Sequence, residues 1–397
     1  MISVGWLRQR SRVCAAMPSP LPRPTLVTDG MDAPCSGAKC VRIEVLLTPA
    51  KGTSMSEITV IGLDLAKRVF QVHGADRQGR PVLRKRLRRD QVLDFFANLS
   101  PCLIGMEACA GSHYWGRELQ ALGHEVRLIP PQYVRPYVKT NKNDATDAEA
   151  ICEALTRPTM RFTALKSAEQ QSVLMLHRTR ELLVRQRTML INALRGHCAE
   201  FGIIAAQGLS RAGELIKLIE DAADSRLPDL ARQVLQCLTS QIRSIQGEIA
   251  SIEKKLLAWH TSCAASRRLA EIPGVGLITA TAVVASVGNA SQFRSARQFA
   301  AWLGLVPQQR SSGGKERLGH ISKRGDGYIR RLLVHGARAH LSWSRRKKQI
   351  RSAWLTRLLV RRPTNVVLLA MANKTARIAW AMLSRGERYQ ERVAAAA

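Results

Sequence analysis

Apolar residues fall in short bursts between Ile58 and about residue 130: "ITVIGLD", "VFQVHGA", "VLRKRLR", "CLIGME" and "EVRLIP". Bursts of this length, bounded by polar or turn-forming residues, predict strands. The first three lie close enough to form a meander. Helical periodicity at 91–99 and 113–122 then separates the last ones. Beyond about residue 155 the strands stop, and apolar positions recur in steps of three and four. Leu235, Leu238, Ile242, Ile245, Ile249, Ile252, Leu256 and Trp259 keep that spacing over more than three heptads, as the seam of a coiled coil does. An earlier helix over 168–199 carries a broader stripe through Met175, Leu176, Leu182, Leu183, Met189 and Leu190. The two helices are expected to pack on each other or on a second subunit; the seam alone does not say which.

Three adjacent strands followed by strand, helix, strand and helix is the order of a ribonuclease-H-like mixed sheet. The expected fold class is therefore α/β plus all-α: that sheet with its helices, long coiled-coil helices, and a helical C-terminal domain. The boundaries fall at 1–54 for a leader, 55–160 for the sheet domain, 161–265 for the coiled coil, 266–385 for the C-terminal domain and 386–397 for a tail. The leader is rich in Pro, Ser and Arg ("MPSPLPRPT") and lacks periodicity, so disorder is expected there. Its "MISVGWLRQRSRVCAA" has too short an apolar core for a signal peptide. A compact pattern begins right after Met55, which suggests the leader is an extension upstream of the natural start. In "LAEIPGVGLITATAVVASVG" two helices around Pro273 to Gly276 look like a helix-hairpin-helix. There Gly274 and Gly276 would let backbone N–H groups meet a phosphate. A tight turn between packed helices is the alternative.

Composition narrows the partner. Lys and Arg number 61 against 30 Asp and Glu, a net charge of +31 over 397 residues. Such a surplus suits a polyanion, nucleic acid first, and would be awkward for an enzyme of small metabolites. We find no apolar run of about 18 residues, which argues against a membrane span. Nine cysteines without a CxxC pair indicate neither a disulfide framework nor a zinc ribbon, in keeping with a reducing cytoplasm. Between Leu305 and Arg362 sixteen basic residues meet two acidic ones. Arg310, Lys315, Arg317, Lys323, Arg324, Arg330 and Arg331 lie in a Gly-containing part of this run, where a backbone can approach a phosphate closely. His73, His113, His124 and His177 are too scattered for a zinc site. The "HGAR" at His335 to Arg338 echoes the His-x-x-Arg of tyrosine recombinases, but a helix surface explains it more simply.

Against this charge the acids stand out. Asp64 ends the first predicted strand and Glu107 the fourth, and strand ends open into the crevice where ligands bind. In "KNDATDAEA", Asp144 and Asp147 are three residues apart at a helix start and share one face. The helix dipole tolerates them there, so capping accounts for part of their presence. Four converging carboxylates, however, repel unless divalent cations sit among them. Mg²⁺ fits, with Mn²⁺ as the alternative, and a pair of ions about 4 Å apart can stabilise both the attacking and the leaving oxygen of a phosphoryl transfer.

"IGLDLAK", "GMEACAGSHYW", "KNDATDAEAI", "IPGVGLITATAVVA", "ARQFAAWLGLVPQQRSSGG" and "GHISKRGDGYIRRLL" together resemble the DEDD transposases of bacterial insertion sequences, the group numbered one-ten with its one-eleven-eleven branch. The likeness spans about 58–385 in the family's order. It implies a RuvC-like N-terminal domain, a coiled-coil middle and a C-terminal transposase domain with a serine nucleophile. By position, Asp64, Glu107, Asp144 and Asp147 would be the metal ligands and Ser312 the nucleophile, with Ser311 beside it as the alternative. The resemblance further implies recombination of double-stranded element and target DNA through a phosphoserine link, guidance by a structured bridge RNA, a homo-oligomer (dimer or tetramer), and a place in the bacterial cytoplasm at the nucleoid. A RuvC-like endonuclease using metal-activated water, and a basic nucleic-acid scaffold, are the competing readings.

Overall fold

The computed structural model describes residues 58–139, 144–347 and 352–390. The expected leader and residues 391–397 of the expected tail lie outside them, as do Lys142 and Asn143. The N-terminal part is built on five strands: β1 (Val60–Asp64), β2 (Val69–Ala75), β3 (Pro81–Arg88), β4 (Leu103–Glu107) and β5 (Glu125–Ile129). Helices α1 (Val92–Ala97), α2 (Ser112–Ala121), α3 (Pro131–Val134) and α4 (Asp144–Leu155) connect or follow them. The sheet order is β3-β2-β1-β4-β5, antiparallel within the β1–β3 meander and parallel from β1 through β4 to β5. The sequence pattern anticipates this mixed sheet, and the structure adds that the first and fourth strands are neighbours.

Alternation along the strands decides what each face buries. Ile61, Leu63, Phe70, Val72, Leu87, Ile104 and Met106 form one core with Phe96 and Trp115 from α1 and α2. On the other face β1 and β4 present Gly62 and Gly105, paired across the ladder. A Cβ on Gly62 would stand 2.1 Å from the Ala148 carbonyl oxygen, and one on Gly105 2.8 Å from Leu155. The two glycines thus form a trough into which α4 sinks, with its Ile151 and Leu155 fully covered.

Two long helices follow, α5 (Ala168–Ala199) and α7 (Asp229–Ser262), with the shorter α6 (Leu209–Glu220) between them. Ile191 and Leu194 of α5 share a core with Leu235 and Ile242 of α7, while Val173 and Leu174 meet Ile252 and Leu256. The helices therefore run antiparallel and pack within one chain. The stripe read along α5 splits in two. Leu176, Leu183 and Leu190 turn toward the cores. Met175, Leu182 and Met189, one heptad apart, face outward at 65, 48 and 68 % exposure.

The C-terminal part comprises α8 (Ala264–Ala270), α9 (Leu277–Val287), α10 (Ala296–Trp302), a hairpin of β6 (Pro307–Gln309) and β7 (Leu318–Ile321), then α11 (Gly327–Arg346), α12 (Ala353–Arg361) and α13 (Thr364–Arg385). Helices α8 to α11 and α13 enclose one core. One expectation needs correcting: α13 is long and apolar enough to cross a membrane by length and composition. Its Val367, Leu368, Met371, Ala372, Ala376, Ala379 and Met382 are buried against neighbouring helices, so packing within the fold accounts for its apolar character.

A buried polar junction ties α5 to the C-terminal helices. Thr281 donates its proton to the Leu277 carbonyl at 2.8 Å. His177 Nε2, 3.0 Å from the Thr281 hydroxyl, must therefore donate to it, which leaves Nδ1 to accept from the Tyr328 hydroxyl at 3.0 Å. With one nitrogen donating and the other accepting, the imidazole is neutral. Burial, reinforced by Arg180, holds its pKa down to about 4.

Candidate active site

Strand register brings the first two acids together. Leu63 pairs with Met106 in the parallel β1–β4 ladder, so Asp64 and Glu107 lie one step further on, side by side at the strand ends. Alternation puts them on the face of Gly62 and Gly105, where α4 lies. Because Ala148 and Cys152 of α4 sit over Gly62, the preceding turn of the helix overhangs the end of β1. Asp144 and Asp147 occupy that turn. One carboxylate oxygen from each of Asp64, Asp144 and Asp147 lies within 4.8 Å of the other two. Glu107 stands outside this trio but close enough for its charge to act on Asp64.

Electrostatics fit a cation site. The Asp64 carboxyl is pushed up to about 6 by burial, then by the charges of Asp147, Asp144 and Glu107, while the Leu65 N–H that donates to it pulls the other way. Among the described residues no Lys or Arg pairs with Asp64, Asp144 or Asp147. The other acids of α4 contrast with them: Glu149 pairs with Arg84 and Lys139, and Glu153 with Lys139 and Arg157. In a chain this basic, three converging carboxylates without a cationic partner among the described residues suit a hard divalent cation. Among the described residues no other cluster of His, Cys, Asp or Glu has such geometry.

The second expected centre is the loop between β6 and β7. Arg310 N–H donates to the Arg317 carbonyl and Lys315 N–H to the Ser312 carbonyl, closing a two-residue turn at Gly313 and Gly314. Both glycines have positive φ (57° and 75°), the turn geometry that suits a twisted hairpin. Ser311 accepts the Arg317 N–H on its hydroxyl at 3.2 Å and so faces its strand partner. Ser312 stands exposed at the corner of the turn, flanked by the exposed Arg310, Lys315 and Arg317. Among the described residues no ion pair joins this hairpin to Asp64, Asp144 or Asp147.

The remaining expected contacts divide. Lys323 and Arg324 are exposed. Arg330 instead donates to the Leu303 and Arg324 carbonyls, and Arg331 pairs with Glu181 of α5, so the fold itself engages both side chains. Gly274 has φ +85°, and a Cβ there would lie 2.6 Å from the Gly336 carbonyl oxygen of α11. Close helix packing thus accounts for Gly274, while Gly276 is exposed with open space around it. His335 and Arg338 sit exposed on α11. The buried His124 bonds within its own domain, with the Cys102 N–H donating to its Nδ1 and the Phe96 carbonyl lying 3.0 Å from its Nε2. Residues the sequence pattern did not single out line the turn after Asp64: Lys67 and Arg68, with Tyr114 opposite. The signal available was a basic pair directly following a strand that ends in a candidate ligand.

Comparison with known proteins gives a consistent result. Residues 61–202 match the profile of a DEDD-type transposase family, and residues 266–354 that described as "Transposase IS116/IS110/IS902 family". The chain is 53 % identical over 331 residues to a "Probable family 20 transposase" of Pseudomonas aeruginosa, covering 83 % of this chain and 98 % of that protein. It is 43 % identical to the "Transposase for insertion sequence element IS1111A" of Coxiella burnetii, covering 85 % and 93 %. The corresponding protein of element IS1328 from Yersinia enterocolitica is 41 % identical, covering 84 % and 98 %.

Proposed function

Because the chain belongs to the IS110 family of insertion-sequence transposases, we propose that it cleaves and rejoins DNA with Asp64, Glu107, Asp144 and Asp147 as ligands for divalent cations and Ser312 as the nucleophile. The observation that carries this reading is the approach of Asp64, Asp144 and Asp147 to within 4.8 Å without a cationic partner among the described residues. Bound Mg²⁺, or Mn²⁺ in its place, would act there as a Lewis acid on phosphate oxygens.

The chain's own part in the reaction is a transesterification. Ser312 Oγ forms a bond to phosphorus as the phosphorus–sugar-oxygen bond breaks, and the departing sugar hydroxyl takes up the proton that the serine loses. In the second half a sugar hydroxyl of the other DNA attacks the same phosphorus, the phosphorus–Oγ bond breaks, and Oγ takes up the proton that hydroxyl loses. One ester bond replaces another at each step, so rejoining needs no ATP. Ser312 is favoured over Ser311 because its neighbour's hydroxyl faces the Arg317 N–H. Arg310, Lys315 and Arg317 would hold the phosphates at the hairpin, with Lys323, Arg324 and the Gly276 turn, in the manner of a helix-hairpin-helix, binding DNA nearby.

Ser312 and the acids stand far apart in the sequence, and their meeting at one phosphate, within a subunit or from a sister subunit, is part of the proposal. The outward stripe of Met175, Leu182 and Met189 supports a homo-oligomer. Choice of element and target DNA by a structured bridge RNA, and work at the nucleoid in the bacterial cytoplasm, complete the proposal. A RuvC-like nuclease using water needs only the acids, and is the second reading.

Incubation with element-end DNA, guide RNA and Mg²⁺, followed by a denaturing gel, separates the two. A protein–DNA adduct that disappears in Ser312→Ala is the expected result. Cleavage without any adduct would favour the water-using nuclease, and an adduct that survives in Ser312→Ala would move the nucleophile elsewhere.

A further inference from the structure

A groove of about 820 Å³ opens on the α2 side of the sheet, between the β1–β2 turn, the end of β3 and the start of α2. Val69, Leu93 and the nearly buried Trp115 line it, and Lys67, Arg68, Arg88, Arg89 and Tyr114 complete it. Four cations thus face a single acid, Asp90, which pairs with Arg88 at 3.3 Å. Lys67 and Arg68 are exposed, and among the described residues neither has an ion-pair partner.

The groove is built rather than incidental. The Arg89 N–H donates to the Arg68 carbonyl at 3.0 Å, tying the end of β3 to the β1–β2 turn. The Arg89 guanidinium lies 5.1 Å from the Trp115 ring centre and 5.9 Å from that of Phe70, within the range of cation–π attraction. Tyr114 packs edge-on against Trp115, with 43 % of its surface open. Lys67 follows Asp64 by three residues, so their Cα atoms are at most about 11 Å apart along the chain.

We propose that this groove holds an unpaired nucleic-acid strand leaving the acidic centre, with Lys67, Arg68 and Arg88 on its phosphates and one base laid on Tyr114. The proposal rests on the nuclease-type reading of the four acids. Cations following a backbone beside an open aromatic ring is the arrangement that binds single strands without reading sequence. A base within a closed duplex has no free face to offer the ring. DNA and RNA strands share the required chemistry.

The test uses the full-length protein with 5-bromouracil-substituted 20-nucleotide DNA, its closed duplex, and the corresponding RNA strand. After photocrosslinking, peptide mapping should find Tyr114 or the 65–68 turn joined to single-stranded probe and not to duplex. The strand chemistry that crosslinks identifies the source. Tyr114→Leu should lower single-strand affinity about 5- to 150-fold while Tyr114→Phe retains it, the range expected for loss of one stacked base. The pair Lys67→Gln and Arg68→Gln should reduce the slope of log affinity against log salt by about 1.4, two single-strand phosphate contacts. Adducts confined to other regions, or duplex crosslinking as well as single strand, overturn the groove. Wild-type crosslinking decides the matter even if a variant fails to fold. If the groove fails while Asp147→Asn still abolishes cleavage, the four-acid reading stands; if Asp147→Asn cleaves normally, that reading is the one that fails.

Discussion

Asp147 is half-buried on the first turn of α4, immediately before Ala148 whose carbonyl meets Gly62, and its carboxylate converges with those of Asp64 and Asp144. Asp147→Asn keeps the shape and removes the charge that would bind a cation. Strand cleavage should fall roughly 100-fold or more, the scale seen when one electrostatic contact to a developing charge is lost. Binding of element DNA, measured by anisotropy, should change little, and a parallel loss of binding would assign Asp147 to DNA affinity instead. These acids were legible from sequence because strand ends and helix spacing fix their positions locally. The opposite held at Arg330 and Arg331, which a charge run presents as free cations. Only the tertiary structure reveals the Leu303 and Arg324 carbonyls and the Glu181 carboxylate that engage them.

Among the elements, α4 is held at its working height by what β1 lacks. Gly62→Ala would drive a methyl toward the Ala148 carbonyl, whose 2.1 Å approach leaves no room. Overpacking of this kind costs about 1–3 kcal/mol or more. The variant should melt several degrees lower and lose metal-dependent cleavage with all four acids intact; unchanged cleavage would mean that helix height is unimportant. The α5–α9–α11 junction predicts a pH dependence. Folded His177 titrates near 4, whereas the unfolded chain returns to about 6.5 and there takes up a proton the native state refuses. Stability from this group is complete above about pH 6.5 and is lost as the pH falls toward 4, in total on the order of 3 kcal/mol. Thermal melting of His177→Asn should be less steep in acid than that of wild type, and an equal slope would remove His177 as the cause. Neither Gly62 nor His177 is distinctive in sequence, since each depends on a backbone or side chain far along the chain. The α5 stripe illustrates the same limit. Periodicity finds both Leu176-Leu183-Leu190 and Met175-Leu182-Met189, but only the position of α7 decides which is covered.

At the scale of the whole molecule, the chain combines a strongly basic composition with an acidic centre at one end of the sheet and a basic serine hairpin in the helical part. The mixed sheet and the paired long helices follow from apolar periodicity, whereas the relation between the two centres is not a local property and the sequence pattern is silent on it. If sister copies bring the centres together through the outward stripe on α5, replacing Met175, Leu182 and Met189 by Glu should shift light scattering from an oligomer to a monomer. The same variant should lose the protein–DNA adduct while retaining its fold. A triple variant of unchanged mass would assign assembly to another surface. The central claim is that Asp64, Glu107, Asp144 and Asp147 hold the cations on which strand cleavage depends. Anomalous scattering from crystals soaked in Mn²⁺ tests it most directly. A peak should appear among these carboxylates and be lost in Asp147→Asn together with cleavage; a peak elsewhere, or none in a preparation that still cleaves DNA, would rule out these ligands.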